Sequence, residues 1–199
     1  MSVKVSILIP VYNISQFLPR CLDSCINQTL KDIEIVCVND GSKDNSLDIL
    51  KEYAKKDERI KIVDKPNGGL PSARNAGLDA ATGEYVMFCD GDDWIKEESC
   101  EYLYSLAKKH DANVVIFGGR VEPLNKTTDW TRVALNPPKR FFKTLSIHDF
   151  LSLPYMFPFL VRNFVKRKHI EKNHFRLDQT ISIGEYLSLF VNDPSLEQS

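Results

Sequence analysis

The chain has 199 residues, of which 43% are hydrophobic and 27% are charged, and its formal net charge is -1 at pH 7. This length and composition predict one globular domain and argue against a low-complexity or wholly disordered chain. The near-neutral charge excludes a strongly basic nucleic-acid binder, and no apolar run approaches the ~20 residues that a membrane-spanning helix needs. The amino terminus enters a strand-like run without the pattern of a signal peptide, so we expect a cytoplasmic protein.

The five cysteines cannot all pair with one another, and their spacing contains neither a CxxC pair nor a zinc-type Cys/His cluster. Two of them stand four residues apart on a predicted helix, and two others lie inside apolar, strand-like runs. We therefore expect buried, reduced thiols. The five are Cys21, Cys25, Cys37, Cys89 and Cys100.

Hydrophobic periodicity alternates between strand and helix through the first 119 residues. Short apolar runs rich in β-branched residues predict strands at residues 5–11, 33–38, 60–63, 85–89 and 113–117. Helical spacing predicts helices at residues 17–26, 44–56, 70–81 and 96–110. Gly83 is the expected cap of the third helix. Strands separated by helices form βαβ units, so the sequence predicts an α/β fold whose mostly parallel sheet has helices on both faces.

The alternation fades after Gly119, and residues 120–199 are predicted to form an irregular or helical segment of the same domain. Between Lys139 and Lys172, eight basic residues accompany only two acidic ones, together with many aromatic side chains. Two interpretations remain open. Either the aromatics pack under the domain and the charges are solvated, or residues 139–172 form an amphipathic patch that rests on an anionic membrane.

Polar or turn residues follow four of the predicted strands directly. In open parallel sheets, ligands bind beyond the carboxyl ends of the strands, near the point where the strand order reverses. These strand ends are therefore the candidate site. They comprise residues 10–13, 39–42, 65–69 and 90–93.

The Asp90-Gly91-Asp92-Asp93 motif is the most specific functional signal among these strand ends. Three carboxylates within four residues repel one another unless a cation or a proton offsets their charge. Oxygen ligands without Cys or His favour Mg²⁺ or Mn²⁺ over zinc, and Mg²⁺ is commonly bound by carboxylates together with substrate phosphates. The motif therefore favours a metal–diphosphate site; the alternative is a solvated acidic turn with one Asp capping the next helix.

Two further motifs each have a binding and a structural interpretation. Asp40 either accepts hydrogen bonds from a base or ribose, or belongs to a tight turn before a helix. Residues 67–69 form a glycine-rich turn before a helix, whose amino terminus attracts phosphate. Arg74, one turn further on, either clamps that phosphate or is a solvated helix charge.

Several common enzyme classes lack their motifs in this chain. No G-x-G-x-x-G follows the first strand, and neither G-x-x-x-x-G-K-[ST] nor G-x-S-x-G occurs. These absences argue against a dinucleotide dehydrogenase, a P-loop NTPase and a hydrolase with a nucleophile elbow. A nucleotidyltransferase would use a similar sheet, but its glycine-rich loop near the first strand is missing.

Four motifs in sequence order resemble those of the family 2 glycosyltransferases with the GT-A fold. They are V-S-I-L-I-P-V-Y-N, V-N-D-G-S-K-D, N-G-G-L-P-S-A-R-N-A-G-L and F-C-D-G-D-D-W, and they lie within residues 3–118. The resemblance implies an inverting, Mn²⁺- or Mg²⁺-dependent transferase. Its donor would be a nucleotide-diphospho-sugar, by default a UDP-sugar, and its acceptor a glycan or lipid-linked molecule in cell-surface polysaccharide synthesis. Residues 1–119 would bind the donor, and residues 120–199 would form the acceptor side.

The resemblance also implies roles for individual residues. Pro10, Tyr12 and Asn13 match residues that line the base site. Asp40 matches a residue that contacts the uracil or ribose, Arg74 one that lies near the diphosphate, and Asp93 one beside the sugar or metal. Asp92, with Asp90, matches the metal ligands. The predicted nucleotide-sugar-binding residues are Pro10, Tyr12, Asn13, Asp40, Gly41, Asn67, Arg74, Asp90 and Asp93.

The general base is where this sequence departs from the family pattern. Relatives usually carry G-E-D at the equivalent of Gly184, but this chain reads Gly184-Glu185-Tyr186. Glu185 serves as the base, or another acid such as Asp178 does, or the base is missing. The chain also ends at Ser199, earlier than such enzymes usually end. The alternative function is therefore a non-catalytic nucleotide-sugar-binding protein, or a truncated member of the family.

Overall fold

The computed structural model describes residues 2–119 and 162–179 of the chain. Strands and helices alternate through the first of these ranges, as the sequence predicts, and a further strand and helix follow in the second. The elements are β1 (Val5–Val11), α1 (Leu18–Ile26), β2 (Ile33–Asp40), α2 (Ser46–Lys56), β3 (Ile60–Lys65), α3 (Leu70–Ala80), β4 (Tyr85–Phe88), α4 (Ser99–His110), β5 (Val114–Ile116), β6 (Asn163–Lys166) and α5 (Arg167–Lys172).

The described strands form one six-stranded sheet in the order β3-β2-β1-β4-β6-β5. The first four strands are parallel, which confirms the predicted mostly parallel sheet. Strand β6 lies between β4 and β5 and is antiparallel to both. The segment after residue 119 therefore contributes a strand to the same sheet as the first half of the chain.

Helices cover both faces of this sheet, because the strands are apolar at successive positions. Every residue of β1 and β2 is buried. Ile7 and Ile9 of β1 belong to a core that includes side chains of α1, α2 and α4. Leu8, which points the other way, belongs to a second core with side chains of α3 and α5. This two-sided burial explains the nearly continuous apolar runs of the sequence. None of the helices in the described ranges is long and apolar enough to cross a membrane.

Two helices begin two or three residues later than predicted. Helix α2 begins at Ser46 rather than at residue 44, since the carboxylate of Asp44 accepts a hydrogen bond from the Ser46 N–H at 3.0 Å and stays outside the helix. Helix α4 begins at Ser99 rather than at residue 96, since the N–H of Ser99 donates to the carbonyl of Lys96 in a preceding turn.

The prediction that Gly83 caps α3 was wrong. The helix ends at Ala80 with Ala81 at the cap position. Gly83 instead passes so close to β1 that a Cβ atom at this position would lie 2.7 Å from the backbone nitrogen of Ser6. Its N–H donates to Ser6 Oγ at 2.9 Å. The glycine is needed for this close approach between two backbones.

A buried carboxylate joins three strands and a loop at the amino end of the sheet. Glu34 of β2 accepts hydrogen bonds from Ser6 Oγ and Lys61 Nζ, both at 2.6 Å. It also accepts from the N–H and the hydroxyl of Thr82, at 2.6 and 2.8 Å. Burial alone would raise the pKa of Glu34, but these hydrogen bonds outweigh burial and lower the pKa below its usual value. Glu34 is therefore ionised in the folded protein and serves the fold.

The Glu34→Gln variant is expected to lose ~1–3 kcal/mol of unfolding free energy at neutral pH, because hydrogen bonds to a charged acceptor are replaced by weaker ones. Since the folded pKa is lowered, this contribution is complete above the unfolded pKa of ~4.3 and is lost as the pH falls through the folded pKa. Urea unfolding at pH 7 and in acid measures both effects. Glu52→Gln, on an exposed carboxylate that pairs with Lys55, is the matched control and should change little. Equal losses in the two variants would contradict the assignment.

Candidate functional site

The topology selects the carboxyl ends of β1 and β4 as the place for a ligand. The chain passes from β1 to β2 and β3 on one side, and then returns to place β4 on the other side of β1. Strand order thus reverses between β1 and β4, and open α/β sheets bind ligands at such points. The loops after β1, β2, β3 and β4 all lie at this edge of the sheet.

Hydrogen bonds tie the loop after β1 to the loop after β2. Asn13 has a positive φ of 52°, and its amide oxygen accepts the N–H of Lys43 at 2.7 Å. The N–H of Ser15 donates to the carboxylate of Asp44 at 2.9 Å. Burial opposes the ionisation of Asp44, but hydrogen bonds from Ser46 and Ser15 outweigh burial and lower its pKa to about 2. The two loops are therefore held together by an ionised aspartate.

The residues predicted to line the base site differ in what they can offer a ligand. Pro10 is buried within β1. The amide oxygen of Asn13 is engaged by Lys43. Tyr12, by contrast, is 46% exposed at the end of β1. Its ring is therefore available for stacking at this edge.

Asp40 fixes the glycine-rich turn after β3. Its side chain is only 3% exposed, and one carboxylate oxygen accepts hydrogen bonds from Lys65 Nζ at 2.6 Å and the Gly68 N–H at 3.0 Å. The other oxygen accepts from the Gly69 N–H at 2.8 Å and from Asn67 Nδ2 at 3.2 Å. Both oxygens are thus engaged by residues 65–69, so the structure gives Asp40 a role in holding this turn.

The loop after β2 and the turn after β3 approach each other closely. Gly41 has φ +70°, and a Cβ atom there would lie 2.7 Å from the backbone nitrogen of Asn67. Gly69, at the amino-terminal cap of α3, has φ +85°. Both backbone conformations strongly favour glycine. The glycines therefore bring the beginning of α3 against the end of β2.

Arg74 of α3 holds the first carboxylate of the acidic motif. Its side chain is fully buried, and its Nη2 donates to Asp90 Oδ1 at 2.8 Å. The guanidinium carbon lies 5.9 Å from the centroid of the Phe88 ring. Because a buried guanidinium is costly without an anionic partner, this ion pair fixes the position of Asp90. The interpretation of Arg74 as a solvated helix charge was wrong.

The other two acids of the motif face solvent. Asp92 and Asp93 are exposed, whereas Asp90 is half-buried. Gly91 packs against the loop after β1, where a Cβ atom would lie 2.2 Å from Cδ1 of Ile14. Partial burial of the Asp93 carboxyl, together with the charges of Asp90 and Asp92, raises the pKa of Asp93 to about 6. The motif is therefore a crowded set of negative charges that a cation would relieve.

The three acids do not form a closed metal cage. Within the described ranges they do not bring one oxygen each within 4.8 Å of one another. A hard divalent cation here would be bound by one or two carboxylates and would keep positions open for other oxygen ligands. That arrangement is typical of Mg²⁺ shared with substrate phosphates.

The sequence did not predict the contacts of two polar residues in this region. Lys65, the last residue of β3, lies within the predicted strand-end range 65–69, but its ion pair with Asp40 was not foreseen. Asn75, next to Arg74, exchanges two hydrogen bonds with the backbone of Leu177, at 2.8 and 2.9 Å. No signal in the sequence connects residues so far apart.

Of the two candidate general bases, Asp178 lies within the described residues and Glu185 does not. Asp178 is exposed and directly follows Leu177, so the segment that carries it is anchored to the helix that supplies Arg74. Glu185, with its neighbours Gly184 and Tyr186, lies outside the described residues, as does most of the acceptor-side segment 120–199.

Comparison with known proteins agrees with the resemblance in the motifs. The family model "Glycosyl transferase family 2" matches residues 6–168. "Uncharacterized glycosyltransferase EpsJ" of Bacillus subtilis is 35% identical over 187 residues, which cover 91% of this chain and 53% of that protein. "Poly(ribitol-phosphate) beta-glucosyltransferase" of Bacillus spizizenii is 41% identical over 126 residues, which cover 61% of this chain and 20% of that protein.

A solved structure shows the same fold. The crystal structure of S. aureus TarS 1-349 in complex with UDP has a TM-score of 0.75 and 23% identity, and the match covers 95% of this chain and 55% of that one. The chain spans about half the length of EpsJ and of this TarS structure. On the match to its sequence and the likeness of its fold, the chain belongs to glycosyl transferase family 2 and has the GT-A fold.

Proposed function

We propose that this chain binds a nucleotide-diphospho-sugar, in the first instance a UDP-sugar, and transfers the sugar to a glycan or lipid-linked acceptor with inversion at the anomeric carbon. The observation that carries the proposal is the acidic motif at the switch point, whose first carboxylate is held by the buried Arg74. Membership of family 2 and the UDP bound by TarS support the choice of donor.

The donor set of the motif fits a hard divalent cation. Asp92, with Asp90, would hold Mn²⁺ or Mg²⁺, since both offer oxygen ligands and Asp92 is exposed. When bound, such a cation would offset the charge that develops on the departing diphosphate. Arg74 keeps Asp90 in place, and Asp93, whose pKa is raised, would lie beside the cation or the sugar.

The base of the nucleotide is assigned to the edge formed by the loops after β1 and β2. Tyr12 supplies an exposed aromatic ring for stacking. Asp40 acts by positioning, because its two oxygens hold Asn67, Gly68 and Gly69. We infer that it shapes the wall of the site through this turn, with Gly41 permitting the close approach.

Transfer requires a group that removes the proton of the acceptor hydroxyl. Glu185 is the first candidate and Asp178 the second; Asp178 belongs to the segment that Asn75 anchors beside Arg74. The second candidate function is donor binding without transfer. Tyr186 favours it, since it stands where relatives usually carry the aspartate base.

The acceptor is proposed to be a cell-surface polymer or its lipid-linked precursor. The similarity to a poly(ribitol-phosphate) glucosyltransferase supports this class. A peripheral contact with the inner face of the cytoplasmic membrane would suit such an acceptor.

The main test is calorimetric titration of UDP into the protein with Mn²⁺ or with EDTA. We expect binding that requires Mn²⁺ and that weakens at least ~10-fold in Asp92→Asn, because a metal ligand is lost. Asp48→Asn, an exposed acid in the first turn of α2, is the matched control and should bind as the unchanged protein does. Absence of UDP binding by the folded protein would refute the UDP site, and titrations with GDP and dTDP would then identify another base.

Transfer is tested separately by UDP release from UDP-glucose and UDP-N-acetylglucosamine in the presence of ribitol-phosphate polymer. Release that depends on the acceptor would establish a transferase. Metal-dependent binding without release from any donor–acceptor pair would favour the non-catalytic alternative.

Arg74→Lys is expected to weaken Mn²⁺-dependent UDP binding ~10-fold, because a lysine ammonium does not reproduce the planar guanidinium whose Nη2 donates to Asp90 Oδ1. Since Arg74 acts through Asp90, the double variant Arg74→Lys/Asp90→Asn should bind UDP as tightly as whichever single variant, Arg74→Lys or Asp90→Asn, binds UDP more weakly. Urea unfolding of each variant controls for loss of the fold. Strictly additive losses would contradict the positioning role.

The membrane contact through residues 139–172 is tested by vesicle flotation. In the described part of this segment, Phe164 is buried against the Tyr85 ring and Lys166 pairs with Asp111, whereas Lys168 and Lys172 are exposed. Residues 139–161 of the segment lie outside the described ranges. Stronger flotation with anionic than with neutral vesicles is expected, and equal flotation would remove this contact from the proposal.

A further inference from the structure

Three of the five cysteines meet behind the acidic motif. All five thiols are free and buried, as the sequence predicts, but their spacing did not predict that three of them converge. Cys21 and Cys25 lie one turn apart on the buried face of α1, and Cys89 directly follows β4. Their sulfur atoms all lie within 4.8 Å of one another.

A backbone oxygen completes the cluster. The carbonyl of Asp90 lies 3.6 Å from Cys21 Sγ and 3.7 Å from Cys89 Sγ, and these two sulfurs are 3.8 Å apart. The cluster thus contains three sulfurs from two elements and one oxygen from the residue that begins the acidic motif.

These separations match the edges of a small coordination tetrahedron. Zinc binds sulfur at ~2.3 Å and oxygen at ~2.1 Å, so at tetrahedral angles two sulfurs would lie ~3.8 Å apart and a sulfur and an oxygen ~3.6 Å apart. The three measured separations agree with these values. Little rearrangement is therefore needed to bring these three atoms around one ion, and the sulfur of Cys25 lies within 4.8 Å of the other two sulfurs.

We propose that Cys21, Cys25 and Cys89, with the backbone oxygen of Asp90, form a site for a thiophilic divalent cation such as Zn²⁺ or Cd²⁺. Each thiol that becomes a ligand releases its proton to solvent as the sulfur–metal bond forms. The site is chemically distinct from the carboxylates of Asp92 and Asp93, because soft sulfur ligands select thiophilic ions and hard oxygen ligands select Mg²⁺ or Mn²⁺.

The remaining cysteines differ from the cluster in their surroundings. Cys100 has the sulfur of Met87 as its neighbour at 3.8 Å, and burial raises the pKa of the Cys37 and Cys100 thiols well above the usual range.

An ion in this site would join α1, β4 and the peptide of Asp90. The carboxylate of the same residue is already fixed by Arg74. Occupancy would therefore hold the beginning of the acidic motif from its backbone as well as from its side chain.

The test uses Cd²⁺ added to the reduced, full-length chain, because sulfur ligation gives an ultraviolet charge-transfer band that carboxylate ligation does not give. The protein is loaded both in the folded state and by refolding from urea with Cd²⁺, since the thiols are buried. We expect one equivalent of Cd²⁺ to produce the band and to raise the thermal unfolding midpoint. Zn²⁺ should compete for the same site.

Matched variants separate this site from other cadmium sites. Cys25→Ala should lose the band and the rise in the unfolding midpoint, whereas Cys37→Ala, with an equally buried thiol outside the cluster, should keep both. Asp92→Asn should also keep both, because it alters only the carboxylate site. Equal bands in Cys25→Ala and Cys37→Ala, or no band in the folded unchanged protein after refolding with Cd²⁺, would overturn the proposal.

If Cys25→Ala does not fold, the ¹¹³Cd resonance of the unchanged protein decides the question. Its chemical shift reports the number of sulfur ligands. Three sulfurs are expected, and a shift typical of oxygen ligands alone would overturn the proposal.

Discussion

The buried guanidinium of Arg74 is the constraint on which the proposed site depends. A charge with no exposed surface needs an anion, and Asp90 is placed to supply it at the end of β4. The pairing fixes α3 relative to β4 and determines where the exposed Asp92 and Asp93 can lie. Because Asn75 stands next to Arg74 and anchors Leu177, the same helix also positions the segment that follows α5.

The acids of this chain divide into those that hold the structure and those that remain available for a ligand. Glu34, Asp40 and Asp44 have their carboxylates engaged by hydrogen bonds from other segments. Asp92 and Asp93 are exposed at the strand end, and partial burial of the Asp93 carboxyl, together with the charges of Asp90 and Asp92, raises the pKa of Asp93. Glu34, Asp40 and Asp44 are thus held by hydrogen bonds within the fold, whereas Asp92 and Asp93 are exposed where a cation can bind.

The strands and the four polar strand ends could be predicted because their signals are local. Continuous apolar runs report burial on two faces, and the polar residues follow them directly. The partners of Arg74 and Asp40 could not be predicted, since each bond joins different elements. Strand β6 comes from residues far along the chain, and its place between β4 and β5 depends on packing rather than on periodicity. Gly83 was assigned to a helix cap because its close approach to Ser6 produces no signal in the sequence around either residue.

The position of Asp90 has a consequence for how the two proposed cation sites relate. Its carboxylate belongs to the hard-ligand side, where Arg74 holds it, and its backbone oxygen lies against the sulfurs of Cys21 and Cys89. The two sites favour ions of different softness, because one offers sulfur ligands and the other carboxylate oxygens. They share one residue, however, so an ion on the sulfur side would restrict the peptide from which the other carboxylates extend. Binding of an ion at the sulfur site would then affect the carboxylate site through the Asp90 peptide alone. The residues on either side, Cys89 and Gly91, are already held by packing.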